Sequence, residues 1–118
     1  MLINFLVAII SLLAGMTSGL LGIGGGVILV PFFHYLLRMN MHLAIGTSLA
    51  IIVPTTFIAA FRHTSANYVD WRIVLFASIF SIVGGFLGAS ISMNLDIVLL
   101  RRIFALVLIL IAIRMLFQ

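Results

Sequence analysis

The chain has 118 residues, of which 65% are apolar and 7% are charged. Soluble domains carry roughly 25% charged residues, and a soluble fold of this size has no room to hide so much apolar surface. The composition therefore predicts an integral membrane protein, and because the few charges are scattered between apolar runs it argues against a nucleic-acid-binding patch.

Five apolar segments follow one another along the chain. A membrane-spanning helix needs about 20 apolar residues, and four segments reach that length, at roughly residues 2–21, 43–62, 71–93 and 97–117. The remaining segment, roughly 26–38, reaches only about 20 Å as a helix. The predicted fold is all-α, a polytopic membrane helix bundle. Because the first run lacks a basic n-region and further apolar runs follow it, we expect no signal peptide.

The short segment overlaps the sequence GLLGIGGGVILVPFF, residues 19–33, which holds five glycines and a proline. Glycine weakens a helix and proline breaks one, so this stretch predicts a backbone break near the N-terminus. Two geometries fit: a re-entrant hairpin whose tip near residues 22–26 stops inside the membrane, or a full span followed by a short, steep helix. Both place residue 1 and Arg38 on one side, and three further crossings then place the termini on opposite sides.

This topology divides the arginines equally between the two sides of the membrane. One side holds Arg38, Arg101 and Arg102, and the other holds Arg62, Arg72 and Arg114. The Lys/Arg bias of short loops sets orientation, and three against three leaves almost none. Either the balance is incidental in a small protein, or the chain inserts in both orientations.

The glycine run also offers an anion site where the short segment begins. A helix N-terminus carries unpaired N–H groups and about half a positive charge, and glycines allow close approach to them. Discontinuous helices that point their N-termini at anionic substrates occur in transporters. The alternative is a tight turn that only packs helices. No Gly-Lys-Ser/Thr follows the run, so it is not a Walker loop.

Hydroxyl groups beside the run and in the next segment extend this candidate site. They can hydrogen-bond an oxyanion, or bond back to their own helix, which is the commoner use. The candidate substrate-binding residues are Thr17, Ser18, Gly22, Gly24, Gly25, Gly26, Val27, Gly46, Thr47 and Ser48.

Ionisable residues give little sign of other chemistry. No acidic or basic residue falls in the middle of the first four segments, which argues against a proton-driven cation exporter. His34, His42 and His63 lie near segment ends without metal-ligand spacing, so we expect no metal site and no cofactor. His63 and Asp70 form a candidate pH-sensitive pair for gating or proton coupling, or are simply interfacial residues. Nothing resembles a nucleophile with its base, so we expect no enzyme.

Small residues at four-residue spacing mark two predicted packing faces, since they let helix backbones approach closely in lipid. One face comprises Ala77, Ser81, Gly85 and Ala89, and the other Ser11, Gly15 and Gly19.

In this order, the motifs resemble the repeat unit of the sulfite exporter TauE/SafE family. That unit has a Gly-rich run ending in Val-Pro, then Ala-x-Gly-Thr-Ser, a His, a Val-Asp-Trp turn and a Gly-rich helix. The matching stretches here are 22–31, 44–48, His63, 69–71 and 84–88. Members of the family are similar to one another in having two such repeats and in moving small sulfur-containing anions such as sulfite, sulfoacetate or thiosulfate. The resemblance implies a transporter of the prokaryotic inner membrane.

With a single repeat over residues 1–118, we expect one transmembrane domain and a partner. An odd number of crossings lets two copies rebuild an inverted pair as an antiparallel, dual-topology homodimer. The expected partners are a small oxyanion, the lipid bilayer and a second copy, and no nucleic acid. The rival interpretations are a structural or assembly membrane protein whose glycines only pack, a small cation or drug exporter, and a different partner half.

The dual orientation is testable by labelling, because the chain has no cysteine of its own. A single cysteine at Ala66 should react with impermeant reagent from both sides of the membrane. Two lysines added after Gln118 should shift the population toward one orientation, since loop charges set topology. Labelling from one side only in the unmodified background would contradict dual orientation.

Overall fold

The computed structural model describes Met1–Phe117 and contains five α-helices within that range. Their bounds are α1 Leu2–Leu21, α2 Gly26–Tyr35, α3 Met41–Ser65, α4 Trp71–Asn94 and α5 Ile97–Leu116. The predicted all-α class is confirmed. Three helices, α1, α3 and α4, are long and apolar enough to cross a membrane by length and composition. The fifth is as long as the first but carries Arg101, Arg102 and Arg114.

Helix ends differ from the predicted ones for local reasons. The α2 helix stops three residues before Arg38, because His34 Nδ1 donates to the Met39 carbonyl at 2.9 Å and the chain turns there. Arg38 itself has a positive φ of 52°. The α3 helix extends beyond both predicted ends, starting where the Asn40 side chain accepts the His42 N–H at 3.1 Å. At the other end it continues past Arg62, because charged and polar residues are acceptable at an exposed helix end.

The glycine run forms the turn between α1 and α2. Helix α1 ends at Gly22, which has a φ of 68° and donates its N–H to the Ser18 carbonyl. Gly24 and Gly25 also have positive φ, at 84° and 69°, a region that residues with a Cβ rarely adopt. The predicted backbone break is therefore present. How the turn lies relative to the membrane stays a prediction.

The turn folds α2 back against the middle of α1. A Cβ at Gly25 would lie 2.9 Å from the Ala14 carbonyl oxygen, closer than a real side chain can come. Ala14 and Ser18 are both buried on this face of α1. The predicted small-residue face of Ser11, Gly15 and Gly19 is half-buried beside them. The fully buried row of α1 is therefore the adjacent row, formed by Ala14 and Ser18.

The shortest helix is the centre of the fold. Four of the ten residues of α2 are buried, at Leu29, Val30, Phe32 and Phe33. Two apolar clusters surround it, one with α1 and α3 residues and one with Met41 of α3 and Leu100 of α5.

Helix α4, in contrast, has no buried residue in the part of the chain that the structure describes. Its N-terminus is capped by the Asp70 carboxylate, which accepts the N–H groups of Arg72 and Ile73 at 3.0 and 3.3 Å. Its C-terminal end meets α3 through His42, whose Nε2 lies 3.0 Å from the Ser92 carbonyl oxygen and 3.2 Å from that of Leu95. The His42 contacts therefore join the start of α3 to the end of α4.

Replacing Gly25 with alanine should destabilise the fold, because the new Cβ meets backbone and the φ of 69° is unfavourable. We expect a loss of at least about 2 kcal/mol in the free energy of unfolding. Gly19→Ala is the matched control, since a Cβ there has no heavy atom within 4 Å. Thermal unfolding of the detergent-purified variants measures the difference. Equal melting temperatures would mean that the close approach to Ala14 does not constrain the fold.

Candidate anion site at the glycine turn

The start of α2 leaves backbone donors without a side-chain cap. Gly25 occupies the N-cap position, and its carbonyl accepts the N–H groups of Ile28 and Leu29 at 3.1 and 3.0 Å. The N–H groups of Gly26 and Val27 precede the first intrahelical bonds and have no acceptor within the helix. The helix dipole adds about half a positive charge at this point. Helix α2 thus begins at Gly26, next to the break, as the sequence predicted, and its role as an anion site stays a prediction.

Helix α3 brings a hydroxyl to this donor end. A Cβ at Gly26 would lie 3.5 Å from Ser48 Oγ and 3.2 Å from Ile52 Cδ1. Ser48 is 2% exposed, so its hydroxyl lies inside the protein beside the start of α2. A Cβ at Gly24 would also meet Ile52, at 3.6 Å. The structure thus brings together the glycine run and Ser48, which the sequence placed in one site.

Ser18 is a buried hydroxyl with no partner. It is 3% exposed, and its Oγ makes no hydrogen bond to any residue that the structure describes. Leaving a buried polar group unpaired costs roughly 1–3 kcal/mol. The side chain lies on the face of α1 that also carries Ala14, against which Gly25 packs. A hydrogen-bonding ligand or water at this place would remove the penalty.

Thr17 has a different role from its neighbour. Its Oγ1 donates to the Ala14 carbonyl at 2.9 Å, so the hydroxyl bonds back to its own helix. With Gly25 and Val27 it lines a cavity of about 90 Å³ whose other walls are apolar side chains. This cavity has the wrong polarity for an anion, which needs donors on several sides. The hydroxyl that the structure places beside the start of α2 is that of Ser48.

The remaining predicted residues are distributed more widely. Thr47 is half-buried on α3 next to Ser48, and Gly22 is exposed at the end of α1. Gly46 lies in a groove between α3 and α4, on another face of α3.

His63 and Asp70 each bond to backbone groups. His63 Nε2 lies 3.1 Å from the Gly19 carbonyl oxygen, so the ring nitrogen carries the proton and ties α3 to the last turn of α1. Asp70 caps α4. Their predicted role as a gating pair stays a prediction.

Two contacts of the turn were not predicted, those of Ala14 and Ile52. Both residues are apolar members of long apolar runs, and no composition or spacing distinguishes them. They are defined only by the packing of distant segments.

These features define a polytopic helical membrane protein with a broken helix buried among longer ones. The family model for sulfite exporter TauE/SafE matches residues 6–118, and the chain belongs to that family. It is therefore an integral membrane protein, and its bacterial relatives fit the inner membrane.

Relatives with curated names are probable membrane transporter proteins. One from Xylella fastidiosa is 32% identical over 105 residues, covering 88% of this chain and 40% of the relative. One from Haemophilus influenzae is 35% identical over 120 residues, covering 91% and 43%. One from Methanocaldococcus jannaschii is 28% identical over 110 residues, covering 88% and 41%. The chain thus spans about two fifths of the length of these relatives. No solved structure matches it.

Removing the Ser18 hydroxyl tests whether it is held for a ligand. Without ligand, Ser18→Ala should raise the free energy of unfolding by about 1 kcal/mol, because a buried unpaired group is removed. The same variant should gain less thermal stability from added oxyanion than the unmodified protein does. A variant that loses stability without ligand would instead mean that the hydroxyl has a structural partner.

Proposed function

We propose that this chain is a subunit of a membrane transporter for small oxyanions, including sulfur-containing ones, and that it works as a homodimer. The observation that carries the proposal is the uncapped start of α2, where Gly25 packs on α1 and the Ser48 hydroxyl of α3 lies beside Gly26. The relatives' printed names, probable membrane transporter proteins, support transport rather than catalysis.

The donors at this site suit an oxyanion. Backbone N–H groups of Gly26 and Val27 and the hydroxyls of Ser18, Thr47 and Ser48 can each donate to an oxygen. An oxyanion presents several acceptor oxygens at once, so one bound at the start of α2 can accept from more than one of these donors. The site lacks a positively charged side chain, and partial charges from the helix start and the hydroxyls take its place. Such a site binds an anion without the strong ion pair that would retain it.

A second copy supplies what one chain lacks. The chain spans about two fifths of its relatives' length and holds a single glycine turn. Two copies in opposite orientations would place two such turns on either side of a shared pathway. The equal division of arginines predicted from the sequence allows this arrangement.

A structural or assembly protein remains the rival, and a specific contact favours it. Gly25 packs on the Ala14 carbonyl, as a purely structural turn would. The two functions differ in what the polar side of the turn does. At a packing turn Ser48 serves only as a small residue beside Gly26, whereas at an anion site its hydroxyl donates to the bound ion.

Anion-dependent thermal stabilisation of the purified protein separates the two functions. Sulfite, thiosulfate and sulfate should raise the melting temperature more than chloride at equal ionic strength. Thr47→Val and Ser48→Ala should each weaken anion affinity by roughly tenfold, corresponding to about 1–2 kcal/mol for a lost hydrogen bond to a charged group.

Thr55→Val is the matched control. It changes a hydroxyl of the same helix that already donates to the Ile51 carbonyl at 2.8 Å, so anion affinity should not change. Equal anion responses in all variants, or none in the unmodified protein, would leave the structural function as the better account. Oxyanion uptake into proteoliposomes, lost in Ser48→Ala and retained in Thr55→Val, would extend the result from binding to transport.

A further inference from the structure

Helix α4 carries a row of residues at four-residue spacing whose size changes half way along. Phe76 and Phe80 come first, and Gly84, Gly88 and Ser92 follow. The two phenylalanine side chains are 70% and 64% exposed, and their ring centroids lie 5.2 Å apart. A Cβ at Gly84 or Gly88 would have no heavy atom within 4 Å. One half of the row is therefore a raised aromatic pair, and the other half is a depression.

The depression opens into a groove between α4 and α3. Gly88 and Ser92 line it from α4, and Ile45, Gly46 and Leu49 line it from α3. Its volume is about 320 Å³. A cavity of roughly 150 Å³ accommodates one benzene ring, so this groove has about the size that two phenyl rings need. His42 joins the start of α3 to the end of α4, residues 66–70 connect the other two ends, and the groove lies between the helices.

The geometry points to a second copy of this chain as the occupant of the groove, with the two α4 helices antiparallel and crossing at Gly84. Phe80 then faces the partner's Gly88, and Phe76 faces the partner's Ser92. Each copy inserts its aromatic pair into the other's groove, so the contact is self-complementary, as a two-fold interface requires. This inference rests on the proposed homodimer and not on the anion site.

Known helix packing supports the crossing point. Gly84 and Gly88 form a G-x-x-x-G pair in an apolar helix, which lets two backbones approach closely in lipid. Rows at four-residue spacing pack against each other at a crossing angle of about −50°, and G-x-x-x-G pairs cross at about −40°. At such angles the row from Phe76 to Ser92 follows the contact line through Gly84.

A parallel pair of α4 helices would lose the match of large to small residues and would also bring like charges together. It would bring phenylalanine against phenylalanine and glycine against glycine, and the groove would stay empty. It would also set Arg72 beside the partner's Arg72. The antiparallel pair instead places the Arg72 end of α4 at the level of the partner's Asp96 and of the carbonyl end of the partner's α4. Opposite charges and opposite helix dipoles then lie at the same depth.

Disulfide formation tests the pairing, because the chain has no native cysteine. Two differently tagged chains, one with Phe80→Cys and one with Gly88→Cys, are co-expressed and oxidised in native membranes. The mixed dimer should exceed the dimer formed by either variant alone by at least about fivefold, since only that pair has its Cα atoms within disulfide range. Gly84→Cys should cross-link with itself. Ile82→Cys, on the opposite side of α4, is the control that should not.

Predominant Phe80→Cys homodimers would overturn the antiparallel pairing in favour of a parallel one. Absence of cross-links at all of these positions would overturn it in favour of lipid or another protein in the groove.

Exchanging the large residue at position 80 with the small residue at position 88 gives an independent test that uses no cysteine. Phe80→Gly and Gly88→Phe should each lower the dimer fraction in detergent about tenfold. The two changes together in one chain should restore it, because a phenylalanine at position 88 then faces a glycine at position 80 of the partner. A double variant as weak as the single ones would overturn the pairing. Both tests are read without anion, so a protein that cross-links as expected but shows no anion response contradicts the anion site alone. A protein that responds to anion but gives no such cross-link contradicts this interface alone.

Discussion

The close approach of Gly25 to the Ala14 carbonyl is the constraint on which the rest of this fold depends. It is reached only because residues 22–25 include three glycines with positive φ, so the chain reverses within one short turn. The reversal places α2 against the middle of α1 rather than beyond its end. From there α2 can contact α1, α3 and α5 at once, and the two apolar clusters of the protein form around it. A side chain at Gly25 would push α2 away from all three.

Irregular backbone in an apolar chain leaves polar groups that need hydrogen-bond partners. Unpaired backbone groups are costly in lipid and are tolerated only where protein buries them or a cavity receives them. Several side-chain polar groups bond to backbone: Thr55 and Thr56 donate back to their helix, and His42 and His63 donate to carbonyls at helix ends. Ser18 stands apart from this pattern, because its buried hydroxyl has no partner among the described residues. The exception lies on the helix face against which the turn packs.

Sequence reasoning predicted what depends on local physics. Segment lengths, the all-α class and the break at the glycine run follow from hydropathy and from the backbone preferences of glycine and proline. Most helix ends were predicted within a few residues, and the larger errors came from treating Arg38 and Arg62 as boundaries. Helix α2 ends at Tyr35, before Arg38, whereas α3 continues past Arg62 to Ser65, so neither arginine marks a helix end.

The positions of the helices relative to one another could not be predicted in this way. The segment that forms α2 is too short to be predicted as a full membrane span, whereas in the structure it is the helix with the most buried residues. Nothing in the apolar run around Ala14 or Ile52 marks those residues as the neighbours of the turn. The juxtaposition of Gly26 and Ser48 was expected from the kinds of groups involved, but the contact itself depends on the path of α3. Long-range packing decides these features, and a single sequence does not encode it in any short pattern.

The helices differ in how much of their surface is buried, and α2 and α4 are the two extremes. Four of the ten residues of α2 are buried, while α4 has no buried residue. Without a hydrophobic drive between helices in lipid, association depends on how closely two surfaces fit. A row that is large at one end and small at the other fits a reversed copy of itself better than it fits an identical neighbour. The interior turn and the outward helix are joined through α3, which contacts the turn at Ser48 and borders the groove at Gly46, two residues earlier. A partner that fills the groove would therefore contact α3 within one turn of Ser48, whose hydroxyl lies beside the start of α2.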